Sequence, residues 1–310
     1  MHPSNLLSKI DWNAWPYRLG CPVWTCKEWG NVVYPVGTPQ TQSLRWYSQM
    51  FGTVEGSSTF YAMPAAATFE KWALESIDSF QFSFKFPQRI THEAELVDCE
   101  EVTREFLDRL SILHRLGRLG ITFVQLGPRF SSRSRNALAS FLQRLPQEGA
   151  WAVEVRHQDW FDEGPNEKWL DKLLVDLNID RVLFDSRPLF QLPASDSIEI
   201  ESQKRKPQSP FRTTVTGTHP FVRVVGRNKP EQITEFWQEW AKQIAKWIND
   251  GLQPWVFTHA PDDAIAPEIA RWMHKLVGDE VVKLDPTRMW PEIPTLDNTG
   301  LSVPIQLSLF

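Results

Sequence analysis

The chain lacks long apolar runs and any excess of basic residues. No stretch of about 18 consecutive apolar residues occurs in its 310 residues, and residues 1–15 hold no export signal, so we expect a cytoplasmic protein without membrane insertion. The formal net charge of −5 argues against a protein that coats nucleic acid or membrane. A local basic patch is compatible with that total.

Cysteine and glycine are also sparse. The three cysteines, Cys21, Cys26 and Cys99, are too few for a disulfide framework and lack the second pair that a zinc site needs, so we expect reduced thiols. No glycine-rich phosphate loop follows a strand, and no Ser-His-Asp order occurs in a suitable context. We therefore expect no nucleotide cofactor.

What the chain does have is eight short apolar runs that end on polar residues, separated by stretches with helical spacing of apolar residues. This alternation predicts an α/β protein, a single (β/α)8 TIM-type barrel with a parallel sheet. The predicted strands are Leu19–Trp24, Thr53–Phe60, Phe80–Phe86, Ile121–Leu126, Trp151–Arg156, Arg181–Asp185, Phe221–Val225 and Trp255–His259. The predicted helices are Leu44–Phe51, Phe69–Ile77, Val102–Leu116, Leu138–Leu145, Trp169–Leu177, Ile233–Ile248 and Ala266–Val277.

The barrel domain is expected over residues 1–277. Within it, residues 187–220 between the sixth and seventh strands predict a long polar loop without a helix. Residues 278–310 hold four prolines and predict an irregular C-terminal tail.

Side chains on a strand alternate between two faces, so parity within each run separates the barrel interior from the face under the helices. The outward set is apolar: Val54, Phe82, Phe84, Val124, Val153, Val155, Val222, Val224 and Val256. The opposite set is polar and is expected at the C-terminal strand ends, where barrels of this class hold their chemistry. It comprises Glu55, Ser57, Ser83, Lys85, Gln125, Glu154, Arg156, Asp185, Arg223, Arg227 and His259.

Several motifs occur together in one order along the chain. They include Gly20 with Trp24, Tyr34-Pro35, residues 51–61, Trp72, residues 80–85, Thr91-His92, residues 153–157 with Trp160-Phe161, Asp185 and residues 223–227. In these motifs residues 17–277 resemble the YecE-like family, domain of unknown function 72. The resemblance implies a TIM-type barrel and a distant likeness to sugar isomerases and metal-dependent endonucleases acting at abasic sites. The eighth strand departs from the Asn-Asn pair expected of relatives and carries His259 instead.

Charges gathered inside a barrel mouth must pair with one another or with a ligand. One interpretation is a self-satisfied salt-bridge network. The other is a cleft for a substrate with phosphate or carboxylate, in which Glu55 or Glu154 is the general base and Lys85 a cation or Schiff-base nucleophile. The candidate catalytic residues are Glu55, Lys85, Glu154, Asp185 and His259; the candidate substrate- or anion-binding residues are Arg156, His157, Arg223, Arg227, Trp24 and Trp160.

Metal dependence stays open at this point. No His-x-x-x-His or similar spacing occurs, which argues against a cluster of zinc ions. A single divalent metal on Glu154 and Asp185 is the remaining alternative.

The chain ends in a pentapeptide, Gln306-Leu307-Ser308-Leu309-Phe310, that looks like the segment by which bacterial replication and repair proteins dock on the ring-shaped DNA sliding clamp. In that interpretation Leu309 and Phe310 enter an apolar pocket and Gln306 sets the register. The alternative is a tail that covers the bottom of the barrel.

Two functions from different classes follow. The first is a hydrolase or lyase acting on a phosphate-bearing substrate, such as a small molecule or damaged DNA. The second is a non-catalytic nucleic-acid-binding module recruited through the C-terminal peptide, whose binding should weaken steeply with salt. A weaker alternative is a sugar isomerase or epimerase with Trp24 or Trp160 stacked on the ring.

Overall fold

The computed structural model describes residues 11–297 and 300–302. Eight parallel strands form one sheet in the order β3-β2-β1-β8-β7-β6-β5-β4. The strands are β1 (Arg18–Cys21), β2 (Thr53–Gly56), β3 (Gln81–Phe84), β4 (Thr122–Gln125), β5 (Trp151–Glu154), β6 (Asp180–Asp185), β7 (Phe221–Val225) and β8 (Trp255–His259). Isolated bridges between Phe82 and Leu119 and between Lys85 and Phe123 join β3 to β4 and complete the ring. The predicted barrel is confirmed.

Helices follow the strands, and most of them cover the outside of the barrel. They are α1 (Ser43–Met50), α2 (Ser58–Tyr61), α3 (Ala66–Glu75), α4 (Glu100–Arg115), α5 (Arg135–Gln143), α6 (Pro165–Asp176), α7 (Arg187–Phe190), α8 (Ser197–Arg205), α9 (Thr234–Asn249) and α10 (Ala266–Leu284). In α9 the apolar stripe includes Trp237, Trp240 and Ile244, all of which are buried. Among the described residues, no helix has the length and apolar character needed to cross a bilayer.

The two faces of the sheet bury different residues. All nine residues predicted to point outward belong to the large core cluster that also contains helix residues such as Phe69, Phe106 and Trp237. A separate buried cluster fills the inside of the barrel and consists of Ile121, Phe123, Ala152, Val182, Phe221, Trp255 and Phe257. This apolar layer forms a floor below the polar residues at the C-terminal strand ends.

The segment between β6 and β7 is long, as expected, but it is not without helices. Pro188 lies in the first turn of α7, where its missing N–H costs nothing. Asp196 caps α8 by accepting a hydrogen bond of 2.8 Å from the Glu199 backbone N–H. The prediction of a helix-free loop is wrong because α8 carries only a weak apolar pattern and depends on its cap. We call residues 187–207 the cap segment.

The end of the barrel also differs from the expectation. Helix α10 continues seven residues beyond Val277, and the chain then returns along it, so that a Cβ at Gly278 would lie 2.4 Å from the Trp290 ring. Ile293 is buried, and β9 (Thr295–Asp297) pairs antiparallel with β10 (Gly300–Ser302). Trp290 and Ile293 therefore pack against the core of the barrel domain.

Candidate functional site

A cavity of about 600 Å³ lies at the C-terminal ends of the strands. Strands β2, β4, β7 and β8 contribute Glu55, Gln125, Arg223 and His259 to its wall, while Lys85 and Arg156 follow β3 and β5. The cap segment adds Ser202, Arg205 and Lys206 from above. The volume is typical of a site for a small molecule.

Glu55 is the centre of the charged network. Its carboxylate accepts two hydrogen bonds from Arg223, from Nε and Nη2, both at 2.7 Å. It also lies 3.2 Å from the Lys85 Nζ and 3.0 Å from the His259 Nε2. Burial by itself would raise the pKa of Glu55, but the charges of Arg223 and Lys85, together with the hydrogen bond from His259, outweigh burial and hold that pKa well below its usual range. Glu55 is therefore ionised and poorly suited to take a proton.

Glu154 is the second carboxylate of the network. It accepts hydrogen bonds from the Arg223 Nη1 and, at 2.7 Å, from the Arg156 Nε. Burial opposes its ionisation, yet Arg223 and Arg156 lower its pKa below the ordinary value. Since Arg223 bonds both carboxylates, it joins β2, β5 and β7 across the inside of the barrel.

Aromatic rings surround the cations of this network. The Arg223 guanidinium lies 5.3 Å from the ring centres of both Phe123 and Phe184. The Lys85 ammonium lies 5.6 Å from Phe60 and 5.8 Å from Phe123. These rings give the cations apolar surroundings, in which electrostatic interactions are stronger than in water.

His259 is neutral at physiological pH. Burial lowers its pKa to about 4 despite the neighbouring Glu55. Because a carboxylate only accepts hydrogen bonds, the proton of the neutral ring lies on Nε2, which donates to Glu55. Within the described part of the chain Nδ1 has no hydrogen-bond partner, so its lone pair is available to a ligand.

The cavity holds more cations than anions. Four basic side chains, Lys85, Arg156, Lys206 and Arg223, line the cavity, against the ionised carboxylate of Glu55 in the wall and that of the fully buried Glu154, which is bonded to Arg156 and Arg223. Arg205 and Asp263 add one group of each sign, and burial raises the pKa of Asp263. The surplus of positive charge favours an anionic ligand.

The structure brings six of the predicted site residues together: Glu55, Lys85, Glu154, Arg156, Arg223 and His259. Asp185 is not among them, and the prediction that it points inward is wrong. Its carboxylate accepts from the Trp240 Nε1 of α9 at 2.9 Å and from Arg187, whereas Phe184 takes the inward position on β6. Glu154 and Asp185 therefore lie on opposite faces of the barrel wall and cannot share a metal ion.

Arg227 is also away from the cavity. It is fully buried and binds Glu199 of the cap segment, with its Nη2 2.6 Å from the Glu199 Oε2. His157 accepts a hydrogen bond from the backbone of Asp159, and Trp160 is buried with its Nε1 donating to the Phe130 carbonyl. Trp24 packs edge-on against Trp72. None of these four side chains lines the cavity, since each is committed to a structural contact.

Other residues at the cavity were not singled out as site residues from the sequence. Lys206 comes from the cap segment, and Phe60, Tyr61 and Gln88 follow the ends of β2 and β3. The sequence does show a basic triplet at 204–206, which includes Lys206. Because this triplet lies outside the strands, strand alternation cannot predict which of its side chains point into the barrel mouth.

In residues 11–297 and 300–302, no group of three His, Cys, Asp or Glu side chains is arranged to hold a metal ion. The residues Gln306, Leu307, Leu309 and Phe310 lie outside the described residues, so clamp docking stays a prediction.

Comparison with known proteins places this barrel in a family. The family described as "Protein of unknown function DUF72" matches residues 18–294. The chain is 35% identical over 277 residues to UPF0759 protein YecE of Escherichia coli K12, covering 89% of this chain and 97% of the relative. It is 29% identical over 140 residues to UPF0759 protein YunF of Bacillus subtilis, covering 43% of this chain and 50% of the relative.

Solved structures share the fold. A DUF72 family protein from Enterococcus faecalis superposes with a TM-score of 0.64 at 18% identity, covering 84% of this chain and 97% of its own. Another from Thermotoga maritima has a TM-score of 0.61 at 20% identity, covering 84% and 99%. The matching family profile, the extended identity to YecE and the shared barrel together show that this chain belongs to the DUF72 family.

Proposed function

We propose that the cavity is the active site of an enzyme that acts on a small phosphate-bearing substrate by hydrolysis or elimination. The observation that carries the proposal is the surplus of basic side chains around a cavity whose carboxylates are already bonded to some of them. A buried excess of positive charge is costly, and a bound phosphate would neutralise it.

His259 is the general base in this proposal, in place of Glu55 or Glu154. Both carboxylates have lowered pKa values and are bonded to cations, whereas the His259 Nδ1 is unbonded among the described residues. Besides burial, the charges of Arg223 and Lys206 help to lower the pKa of His259. An anionic substrate would offset those charges and move this pKa towards neutrality, where general-base catalysis is most effective. Glu55 holds the imidazole in the required tautomer.

The cap segment supports a small substrate rather than duplex DNA, since it covers part of the mouth with Ser202 and Lys206. The isomerase alternative loses its stacking residues, because Trp24 and Trp160 are engaged elsewhere. Clamp recruitment and a role in DNA repair remain predictions from the C-terminal peptide.

Two measurements test the proposal. The first is calorimetric titration with inorganic phosphate. The second is a pair of assays, for phosphate release and for unsaturated products, on a panel of phosphate monoesters. His259→Gln keeps an amide near Nε2 to bond Glu55 but removes the base, so we expect kcat to fall about 100-fold or more with phosphate affinity nearly unchanged. His114→Gln, at an exposed position on α4, is the matched control.

Absence of phosphate binding would contradict the proposal. Binding of duplex DNA that weakens steeply with salt, without turnover of any monoester, would instead favour the non-catalytic nucleic-acid module.

A further inference from the structure

Lys206 approaches the cavity from the cap segment and not from a strand end. It follows the last turn of α8 and lines the cavity together with Lys85, Arg156 and Arg223. Its neighbour Lys204 does not line the cavity and lies 4.0 Å from Glu201 at the surface, whereas Arg205 lies at the rim of the cavity, largely exposed and 3.4 Å from Glu201. The triplet therefore divides into a surface residue, a rim residue paired with Glu201, and Lys206, which lines the cavity.

The Lys206 ammonium has no ion-pair partner among the described residues. Burial, reinforced by the charge of Arg223, lowers its pKa to about 8, and the more modest influences of the carboxylates Glu55 and Asp263 oppose this. A cation in such surroundings is favourable only if a counter-ion arrives, because partial burial removes hydration and nearby cations repel it. At neutral pH the ammonium is mainly protonated and can supply charge to an anion.

The cap segment holds Lys206 in place through buried polar contacts. Glu199 of α8 binds Arg227 after β7 and accepts from the Asn228 backbone N–H at 2.9 Å. On the other side of Lys206, the Pro207 carbonyl accepts a hydrogen bond of 2.6 Å from the Ser186 Oγ. These contacts make the lysine part of a built wall of the cavity.

A second observation concerns Gln125, which lines the same cavity. It is 5% exposed, and its Oε1 has no hydrogen-bond partner in the described structure. A buried amide without a partner is unfavourable. A hydroxyl group of a ligand would satisfy the amide in either orientation, because a hydroxyl both donates and accepts.

We propose that Lys206 is a specificity-determining residue that binds the anionic group of the substrate, and that the substrate is a small hydroxylated phosphate ester such as a sugar phosphate. This inference rests on the proposed function of the cavity and adds the substrate class and the role of the cap segment. The lysine and the amide would contact different groups of one ligand.

Titration with inorganic phosphate and with ribose 5-phosphate tests the inference. Lys206→Gln should weaken the binding of inorganic phosphate about tenfold or more, as expected when one charge-assisted hydrogen bond is lost. Lys204→Gln, two residues away on the exposed side of the cap segment, should change it less than about twofold. Gln125→Met should lower the affinity for ribose 5-phosphate to near that for inorganic phosphate while leaving the latter unchanged.

A pH profile distinguishes a ligand contact from a structural role. Wild-type affinity for phosphate should fall between about pH 7.5 and 9.5 as Lys206 loses its proton, and Lys206→Arg should remove that fall because a guanidinium stays charged. If the wild type binds phosphate and Arg156→Gln weakens binding while Lys206→Gln does not, the inference is overturned and the proposed function stands. If the wild type does not bind phosphate, both are overturned.

Discussion

Glu55 and Arg223 form a bidentate ion pair inside the barrel, with Nε and Nη2 of the arginine each 2.7 Å from a carboxylate oxygen. They belong to β2 and β7, which β1 and β8 separate in the sheet. Both side chains are buried, and the charge of each stabilises that of the other: Glu55 is held ionised and, against the effect of burial, the pKa of Arg223 is raised. Because the Glu55 carboxylate is bonded mainly to Arg223, it neutralises the charges of Lys85 and Lys206 only in part. The pair therefore both fixes the wall of the cavity and leaves it with an excess of positive charge.

Replacing Glu55 by Gln should destabilise the fold strongly. Arg223 would keep only Glu154 as a carboxylate partner, and Lys85 would lose its ion pair. Removing one member of a buried pair costs about 3–5 kcal/mol. Urea unfolding followed by tryptophan fluorescence measures the change, with Glu70→Gln at an exposed position of α3 as the control. Equal stability of the two variants would show that the pair contributes nothing net.

Gly20→Ala should disrupt the contact between β1 and β2. A Cβ at this position would lie 2.2 Å from the backbone oxygen of Thr53, which cannot move without breaking the sheet register. We expect a loss of about 1–3 kcal/mol or more in the free energy of unfolding. At Gly30 the nearest atom is the Val36 Cγ2 at 3.5 Å, so Gly30→Ala should be tolerated. Similar melting temperatures of both variants would contradict this packing.

Stability should fall as the pH is lowered from about 6.5 to 4.5. Burial lowers the pKa of both His259 and His274 from 6.5 to about 4. In this window the unfolded chain binds protons that the folded chain does not, so the stabilisation present above pH 6.5 is lost as the pH falls towards 4, by about 2–3 kcal/mol per histidine.

His274 provides the test of this pH dependence because it lies away from the cavity. Its ring bonds the Tyr17 hydroxyl at 2.7 Å and the Pro291 carbonyl at 2.6 Å. His274→Gln should reduce the loss of stability between pH 7 and pH 4.5, measured by urea unfolding at each pH. An unchanged difference would assign the pH dependence to other groups.

The C-terminal peptide predicts binding to a bacterial DNA sliding clamp. Replacing Leu309 and Phe310 by Ala should abolish that binding in biolayer interferometry, since these side chains would fill the apolar pocket of the clamp. Ser308→Ala should bind like the wild type, and phosphate binding in the cavity should not change. If the double variant instead has a lower melting temperature than the wild type, and the wild type does not bind the clamp, the peptide covers the bottom of the barrel.

Much of the barrel and part of the site could be predicted from periodicity. The alternation of residues placed Glu55, Lys85, Glu154 and Arg223 on one face, because valines and phenylalanines mark the opposite face of those strands. The same reasoning failed on β6. Both faces of that strand are buried, with Val182 and Phe184 inside the barrel and Leu183 outside. Because apolar residues occur on both faces, the pattern does not show which alternate residues point inward.

Arg227 shows a different limit of sequence reasoning. A basic residue just past the seventh strand fits a phosphate site, yet its guanidinium binds Glu199, which precedes it by 28 residues in the cap segment. Residues beyond the end of a strand need not follow its alternation, although Lys85 and Arg156 do. Their direction depends on which segment packs over them, and no local pattern records that.

The amino-acid sequence by itself determined that this chain forms a barrel with acids and bases at one rim, because strand alternation and helical spacing are local properties of neighbouring residues. Only the tertiary structure decided which of those charges meet. Glu55 and Arg223 are 168 residues apart, and Lys206 reaches the cavity because contacts of Glu199 and Ser186 hold its segment there. Such pairings depend on the closure of the barrel and on the packing of the cap segment, and these bring distant residues within bonding distance.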